Sequence, residues 1–266
     1  MNRRRFASIW LSFLLLIAPL SGRGQTPTPT GSTVTSNWQD GVRQMLARRA
    51  DAVLKGDKKT FVATMASASE QFREERLTWF ERIRSLPLGT YALDVTQDEF
   101  SELTRDADRR SHRDEVHVIQ VKERIGFNGY DVAPSSEDVF LTVVKTDDGW
   151  NVVADDDAEP LALQSNRNIW DFGAVDHIAS DGIMVVFHPA QRAAAQRILA
   201  MAKGARATVK AQWPVRWRED RIIVNIPATV DELARILQTT FDLSTFVAFA
   251  ASSVDRRRGW DLIGPR

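Results

Sequence analysis

The spacing of apolar residues changes once along the chain, near Pro87, and this change most constrains the fold. Before it, apolar residues recur at helical spacing in three segments that begin near residues 38, 57 and 69. After it, Tyr91–Val95 and Glu115–Ile125 alternate as strands do, and Val139–Val144 has the composition of a buried strand. Helices followed by antiparallel strands predict an α+β fold.

A hairpin follows the third predicted strand and carries a resemblance to a known family. Thr146–Gly149 (TDDG) predicts a tight turn, and Trp150–Val153 returns as the partner strand. Over Trp38 to Asp157, three helices, a sheet and the ending KTDDGWNVVAD resemble the NTF2-like (SnoaL-like) proteins. The resemblance implies a cone in which helices on a curved antiparallel sheet enclose a pocket. Such a pocket binds small apolar ligands or, in some family members, hosts acid–base catalysis.

Three aromatic residues are the candidates for lining that pocket. Trp79, Tyr91 and Trp150 lie on the predicted helix and strands that would surround it. The alternative is that the same rings fill a core, because aromatic residues at helix and strand spacing are usually core residues.

The second half of the chain alternates between strands and helices, which predicts an incomplete α/β unit after the cone. Gly182–Phe187 and Arg221–Ile226 are predicted strands, and Ala190–Trp213 is a predicted long helix that follows Pro189. Phe246–Ala251 is a predicted third strand.

This half resembles the opening of the gluzincin-type metallopeptidase domains grouped as peptidase MA-like. The resemblance is carried by Trp170–Gly173, by Met184–Phe187 before a long helix, by Trp213–Trp217 and by Arg221–Thr229. In that family an HExxH helix follows, in which two histidines bind zinc and the glutamate acts as general base. Zinc is therefore implied only for a complete family member, and we predict no catalytic or metal-binding residue in this chain.

The histidines and acidic runs offer no alternative chemistry in the sequence alone. His112 and His117 do not have the spacing of zinc ligands, and His177, in a predicted loop, and His188 each stand alone. The run Asp155–Asp157 lacks the spacing of a calcium loop, and we interpret it as a solvated acidic linker. The absence of cysteine excludes disulfides and thiolate chemistry.

The N-terminus predicts export from the cytoplasm. Arg3–Arg5 precedes an apolar run, Ile9–Leu20, and small residues follow it, as in a signal peptide cleaved near Gly24. Removing the first 24 residues leaves 31 basic and 35 acidic residues, a balance that favours no nucleic-acid partner. We expect a secreted or extracytoplasmic protein, anchored to the membrane only if the signal segment stays uncleaved.

The predicted organisation therefore has five parts. They are a signal peptide (1–24), a Pro/Thr-rich linker (25–36), an NTF2-like domain (37–157), a second linker (158–168) and a truncated peptidase MA-like subdomain (169–266). Three functions stay open, the third being an NTF2-like enzyme of the isomerase or cyclase sort, and whether the protein is an enzyme is uncertain. The first is the catalytically silent front part of a zinc metallopeptidase. The second is a non-enzymatic protein whose NTF2-like pocket binds a peptide, a protein or a small apolar ligand.

Overall fold

A computed structural model of the chain describes residues 38–104, 107, 115–131, 133–212 and 221–244. Several predictions concern residues outside these ranges. They are the signal peptide, the Pro/Thr-rich linker, His112, the motif at residues 213–217 and the strand at residues 246–251.

Three helices form the first layer, and short-range signals set their ends. Gly56 follows the first helix with a positive φ of 72°, a backbone conformation that favours glycine. The side chain of Asp57 accepts a hydrogen bond from the backbone N–H of Thr60, and Ser69 accepts one from Phe72, so both residues cap helices. The helices are α1 (Trp38–Lys55), α2 (Lys58–Ala63) and α3 (Glu70–Arg84).

A four-stranded antiparallel sheet follows the helices, with its strands in sequence order. Strand alternation gives this sheet two different faces. Ile119 and Val121 lie on the face that packs against the helices, whereas Val116 and Val118 belong to a separate cluster on the other face. The strands are β1 (Leu88–Gln97), β2 (Val116–Phe127), β3 (Ser135–Thr146) and β4 (Gly149–Ala154). This arrangement confirms the predicted α+β class.

The second sheet has three described strands in the order β5-β6-β7, with β5–β6 antiparallel and β6–β7 parallel. Helix α5 connects β6 to β7 and packs on both β5 and β6. The elements are α4 (Ile169–Phe172), β5 (Asp176–Ser180), β6 (Ile183–Phe187), α5 (Arg192–Gln212), β7 (Ile222–Ile226) and α6 (Val230–Leu237).

Strand β5 corrects the prediction that His177 lies in a loop. His177 pairs with Val186 across the β5–β6 hairpin. Asp181 and Gly182 form the turn, with φ values of 54° and 78°. An Asp-Gly pair with two positive φ angles is a preferred two-residue hairpin turn, so the sequence carried this signal.

Strand β6 is the central strand of the second sheet, and all five of its residues are buried. Met184 and Val186 join the core that contains α1, α3 and the inner face of the first sheet. Val185 and Phe187, on the opposite face, pack with Ala195 of helix α5. The first and second sheets therefore contribute to one continuous hydrophobic core.

A histidine–carboxylate pair joins the end of β6 to helix α6. The Nδ1 atom of His188 lies 2.8 Å from the carbonyl oxygen of Ala174, and its Nε2 atom lies 2.8 Å from Oε1 of Glu232. Both ring nitrogens therefore lie within hydrogen-bond distance of an oxygen atom, one on the backbone and one on Glu232. The second carboxylate oxygen of Glu232 accepts a hydrogen bond from the backbone N–H of Ala228.

We expect Glu232→Ala to lower the free energy of unfolding by about 2 kcal/mol, because the change removes the carboxylate that contacts the partly buried His188 ring and the backbone N–H of Ala228. Asp231→Ala is the matched control, since it removes an exposed carboxylate from the same helical turn. Urea unfolding at neutral pH measures both changes. Equal losses in the two variants would contradict a structural role for the pair.

Candidate functional site

A cavity of about 40 Å³ lies between helix α3 and the inner face of the first sheet. By the space that one buried water needs, this volume holds about three waters. One wall is apolar and includes Leu93 from β1, Val139 and Leu141 from β3, and Val152 from β4. The remaining lining residues are Arg49, Phe72, Arg76, Trp79, Tyr91, Glu123, Asp155, Asn166, Arg167 and Asp171.

Two arginines share one carboxylate at the charged side of the cavity. NH1 of Arg76 lies 3.1 Å from Oδ2 of Asp155, and NH1 of Arg167 lies 2.8 Å from the same oxygen atom. Burial alone would raise the pKa of Asp155, but the two guanidiniums outweigh burial and lower it. Asp155 is therefore ionised at neutral pH and holds α3 to the segment that leads into α4.

The guanidinium of Arg76 has unused hydrogen-bonding capacity. Its Nε atom is buried and meets no hydrogen-bond partner among the residues that the structure describes. A buried donor without a partner is costly, and in native proteins such a group usually contacts water or a ligand. Arg76 is therefore held to Asp155 through one nitrogen atom, while its Nε atom lacks a partner.

Arg49 approaches the cavity from α1 and is itself fixed. Its NH1 atom donates a hydrogen bond of 2.8 Å to Oγ1 of Thr64, and its guanidinium lies 4.0 Å from the centre of the Phe61 ring. Burial lowers the pKa of Arg49 to about 10, so the side chain stays charged at neutral pH. It contributes positive charge to the cavity from a rigid position.

Tyr91 and Glu123 form a buried pair opposite the arginines. The Tyr91 hydroxyl donates a hydrogen bond of 2.8 Å to Oε1 of Glu123. Burial raises the pKa of Glu123 to about 7, and burial together with the Glu123 carboxylate raises the pKa of Tyr91. Glu123 can therefore hold or release a proton near neutral pH.

Asp171 completes the charged lining from helix α4. Its Oδ2 atom accepts a hydrogen bond of 2.7 Å from the backbone N–H of Asn168, and its Oδ1 atom lies 4.0 Å from NH1 of Arg167. Burial raises the pKa of Asp171 above its ordinary value. Asp171 belongs to the Trp170–Gly173 stretch that carried the metallopeptidase resemblance, yet here it faces the cavity of the first sheet.

The structure brings together two of the three predicted pocket residues. Trp79 and Tyr91 line the cavity, and their rings lie 5.6 Å apart. Trp150 lies outside the lining, in an aromatic group with Trp38 and His117, whose own rings stack at 3.8 Å. Trp150 also lies against Gly41, where a Cβ atom would stand 2.6 Å from the indole nitrogen.

The sequence analysis missed the charged lining residues, although two kinds of signal were present. Arg49 and Arg76 occupy positions in the otherwise apolar stripes of α1 and α3. Glu123 lies on the same face of β2 as the core residues Val121 and Ile125. An ionisable residue at a core position is costly unless it has partners, so such positions indicate a buried polar site.

The interpretation of Asp155–Asp157 as a solvated linker is wrong for Asp155. Its side chain is only 14% exposed, because Arg76 and Arg167 converge on it from segments distant in sequence. Asp157 accepts a hydrogen bond from the Thr142 hydroxyl. Across residues 38–104, 107, 115–131, 133–212 and 221–244, no group of three or more His, Asp or Glu side chains is arranged to hold a metal ion.

Comparison of the chain with protein-family models, with curated proteins and with solved structures finds no match. In the part of the chain that the structure describes, no helix is long and apolar enough to cross a membrane.

We expect Glu123→Gln to remove a pH dependence of stability. The pKa of Glu123 rises from an ordinary 4.5 to about 7 on folding, so the folded state binds more protons between these values. This contribution to stability is complete below pH 4.5 and is lost as pH rises through about 7. Its loss corresponds to about 3 kcal/mol.

Urea unfolding between pH 4.5 and 8 tests this prediction. The variant should match the wild-type protein at the acid end and exceed its stability above pH 7, and contributions of other carboxyl groups cancel in the difference. Glu74→Gln, an exposed change on α3, is the control and should leave the pH profile unchanged. Parallel profiles for wild type and Glu123→Gln would contradict the raised pKa.

Proposed function

We propose that this protein is an extracytoplasmic binding protein whose ligand site is the cavity between α3 and the first sheet. The observation that carries the proposal is a cavity with an apolar wall and a charged wall, in which the buried Nε atom of Arg76 lacks a partner. Ligand sites typically combine apolar lining with a few convergent polar groups. The arginines and the apolar run at the N-terminus support the extracytoplasmic part of the proposal.

The lining favours a binding role over a purely structural one. A buried ion network that only held the fold together would be expected to satisfy its donors, since a partly satisfied network destabilises the folded state. Here Arg76 lines the cavity, and one donor of its guanidinium, the buried Nε atom, has no hydrogen-bond partner among the described residues. A carboxyl group with a pKa near 7 in the same cavity is also typical of functional sites.

The relationship to peptidase MA-like domains remains a prediction and adds nothing to this proposal. The mixed sheet of β5, β6 and β7 contributes none of the residues that line the cavity. Peptide cleavage that is stopped by a chelator would favour the metallopeptidase alternative.

A cavity-filling change on β1 tests the proposed site. Leu93 lines the cavity and is half-buried, so Leu93→Trp adds a ring to the cavity from an edge strand with room to adjust. We expect compounds from a mixed small-molecule collection to raise the Tm of the wild-type protein and to lose that effect in the variant, because binding stabilises only the state with an open site.

The matched control is Ala92→Trp, which adds the same ring to the opposite face of the same strand. It should respond to the compounds as the wild-type protein does. The proposal is contradicted if no compound stabilises the wild-type protein, or if Leu93→Trp responds as strongly as Ala92→Trp.

A further inference from the structure

The cavity also defines the chemical class of its ligand, provided that it is the binding site proposed above. Its lining contains three guanidiniums, those of Arg49, Arg76 and Arg167. It contains three carboxyl groups, those of Glu123, Asp155 and Asp171. When Glu123 is protonated, the lining carries one more positive than negative charge. An anionic ligand would neutralise this excess positive charge, whereas a neutral or cationic ligand would leave it buried.

The arrangement of the guanidiniums selects a carboxylate among small anions with a carbon tail. Arg76 and Arg167 reach the same oxygen atom of Asp155 through one nitrogen each, and Nε of Arg76 lies buried beside them. A guanidinium carries five N–H donors in a planar fork, which matches the two oxygens of a carboxylate.

The size and the opposite wall define the rest of the ligand. The cavity of about 40 Å³ accepts roughly a carboxylate group with one or two carbons. Beyond the charged side, the ligand would meet Phe72, Leu93, Val139, Leu141 and Val152. These side chains offer contact to a short hydrocarbon tail and no partner to a second polar group.

We infer that the pocket binds the carboxylate of a small organic acid with a short apolar tail, chiefly through Arg76, and that Glu123 is protonated in the complex. An ionised Glu123 would face the ligand's charge across a cavity a few atoms wide and would repel it. A protonated Glu123 keeps the hydrogen bond from Tyr91 at Oε1 and has its other oxygen available as a donor.

Titratable and charged groups from every element packed against Glu123 affect its protonation. They are Tyr91 on β1, Glu137 on β3, Arg76 on α3, Arg49 on α1, and Arg167 and Asp171 at the start of α4.

The test uses propanoate, its neutral counterpart propanamide, and propylammonium, each titrated into the isotopically labelled exported form of the protein and followed by NMR. We expect propanoate to shift the Trp79 and Tyr91 signals and to bind at least about tenfold more tightly than propanamide, as one charge-assisted hydrogen bond requires. Acetate, butanoate and benzoate then define the length of the tail.

Two arginine variants separate recognition from folding. Arg76→Gln should weaken propanoate binding by about tenfold or more, and Arg76→Lys should weaken it less, because lysine keeps the charge but loses the fork. Arg48→Gln removes an exposed charge from α1 and should bind as the wild-type protein does. A folded Arg76→Gln variant with unchanged propanoate affinity overturns the inference.

The pH dependence gives a second readout. Wild-type affinity for propanoate should fall about fivefold between pH 7 and 8, because binding takes up one proton and the pKa of Glu123 is about 7. Glu123→Gln should lose this dependence. If propanamide or propylammonium binds better than every carboxylate and Leu93→Trp abolishes that binding, the ligand class is wrong but the proposed function stands. If neither the acids nor any other compound binds, both are wrong.

Discussion

Asp155 and the two arginines that converge on it connect three parts of the molecule. Arg76 comes from α3, Asp155 follows β4, and Arg167 stands just before α4. Ionised groups are buried only when they are paired, so these contacts fix the distance between the helical layer and the first sheet. Through Arg167, Asp155 also holds the residues that precede α4. Trp170 of α4 packs in the common core with Met184 and Val186 of β6.

This arrangement leaves a space where a core would be expected. Apolar side chains from α1, α3 and the sheet meet around the cavity, but the charged groups prevent complete closure because each must keep its own partners. Glu123 shows the cost most directly, since burial raises its pKa to about 7 and folding at higher pH must bury its charge. Stability given up at such a position is a common feature of functional sites.

Much of the fold followed from local patterns, and the failures were specific. The α+β class, the starts of the second and third helices near residues 57 and 69, and the hairpin before Trp150 were predicted from spacing and turn residues. Strand β5 was not predicted, although the pair Asp181 and Gly182 is typical of the hairpin turn that follows it. Of the predicted pocket residues, Trp79 and Tyr91 line the cavity, while Trp150 packs with Trp38 and His117, because spacing gives a face but not the neighbours on it.

The sequence by itself determined where helices and strands form, since periodicity, caps and turns act over a few residues. It also placed Arg49, Arg76 and Glu123 on apolar faces, which marks a buried polar site without locating it. Only the tertiary structure decided that these side chains meet Asp155 and Arg167 around one cavity. The physical reason is that the pKa, the pairing and the unused donor depend on distances between segments far apart in the chain, and no local pattern encodes those distances.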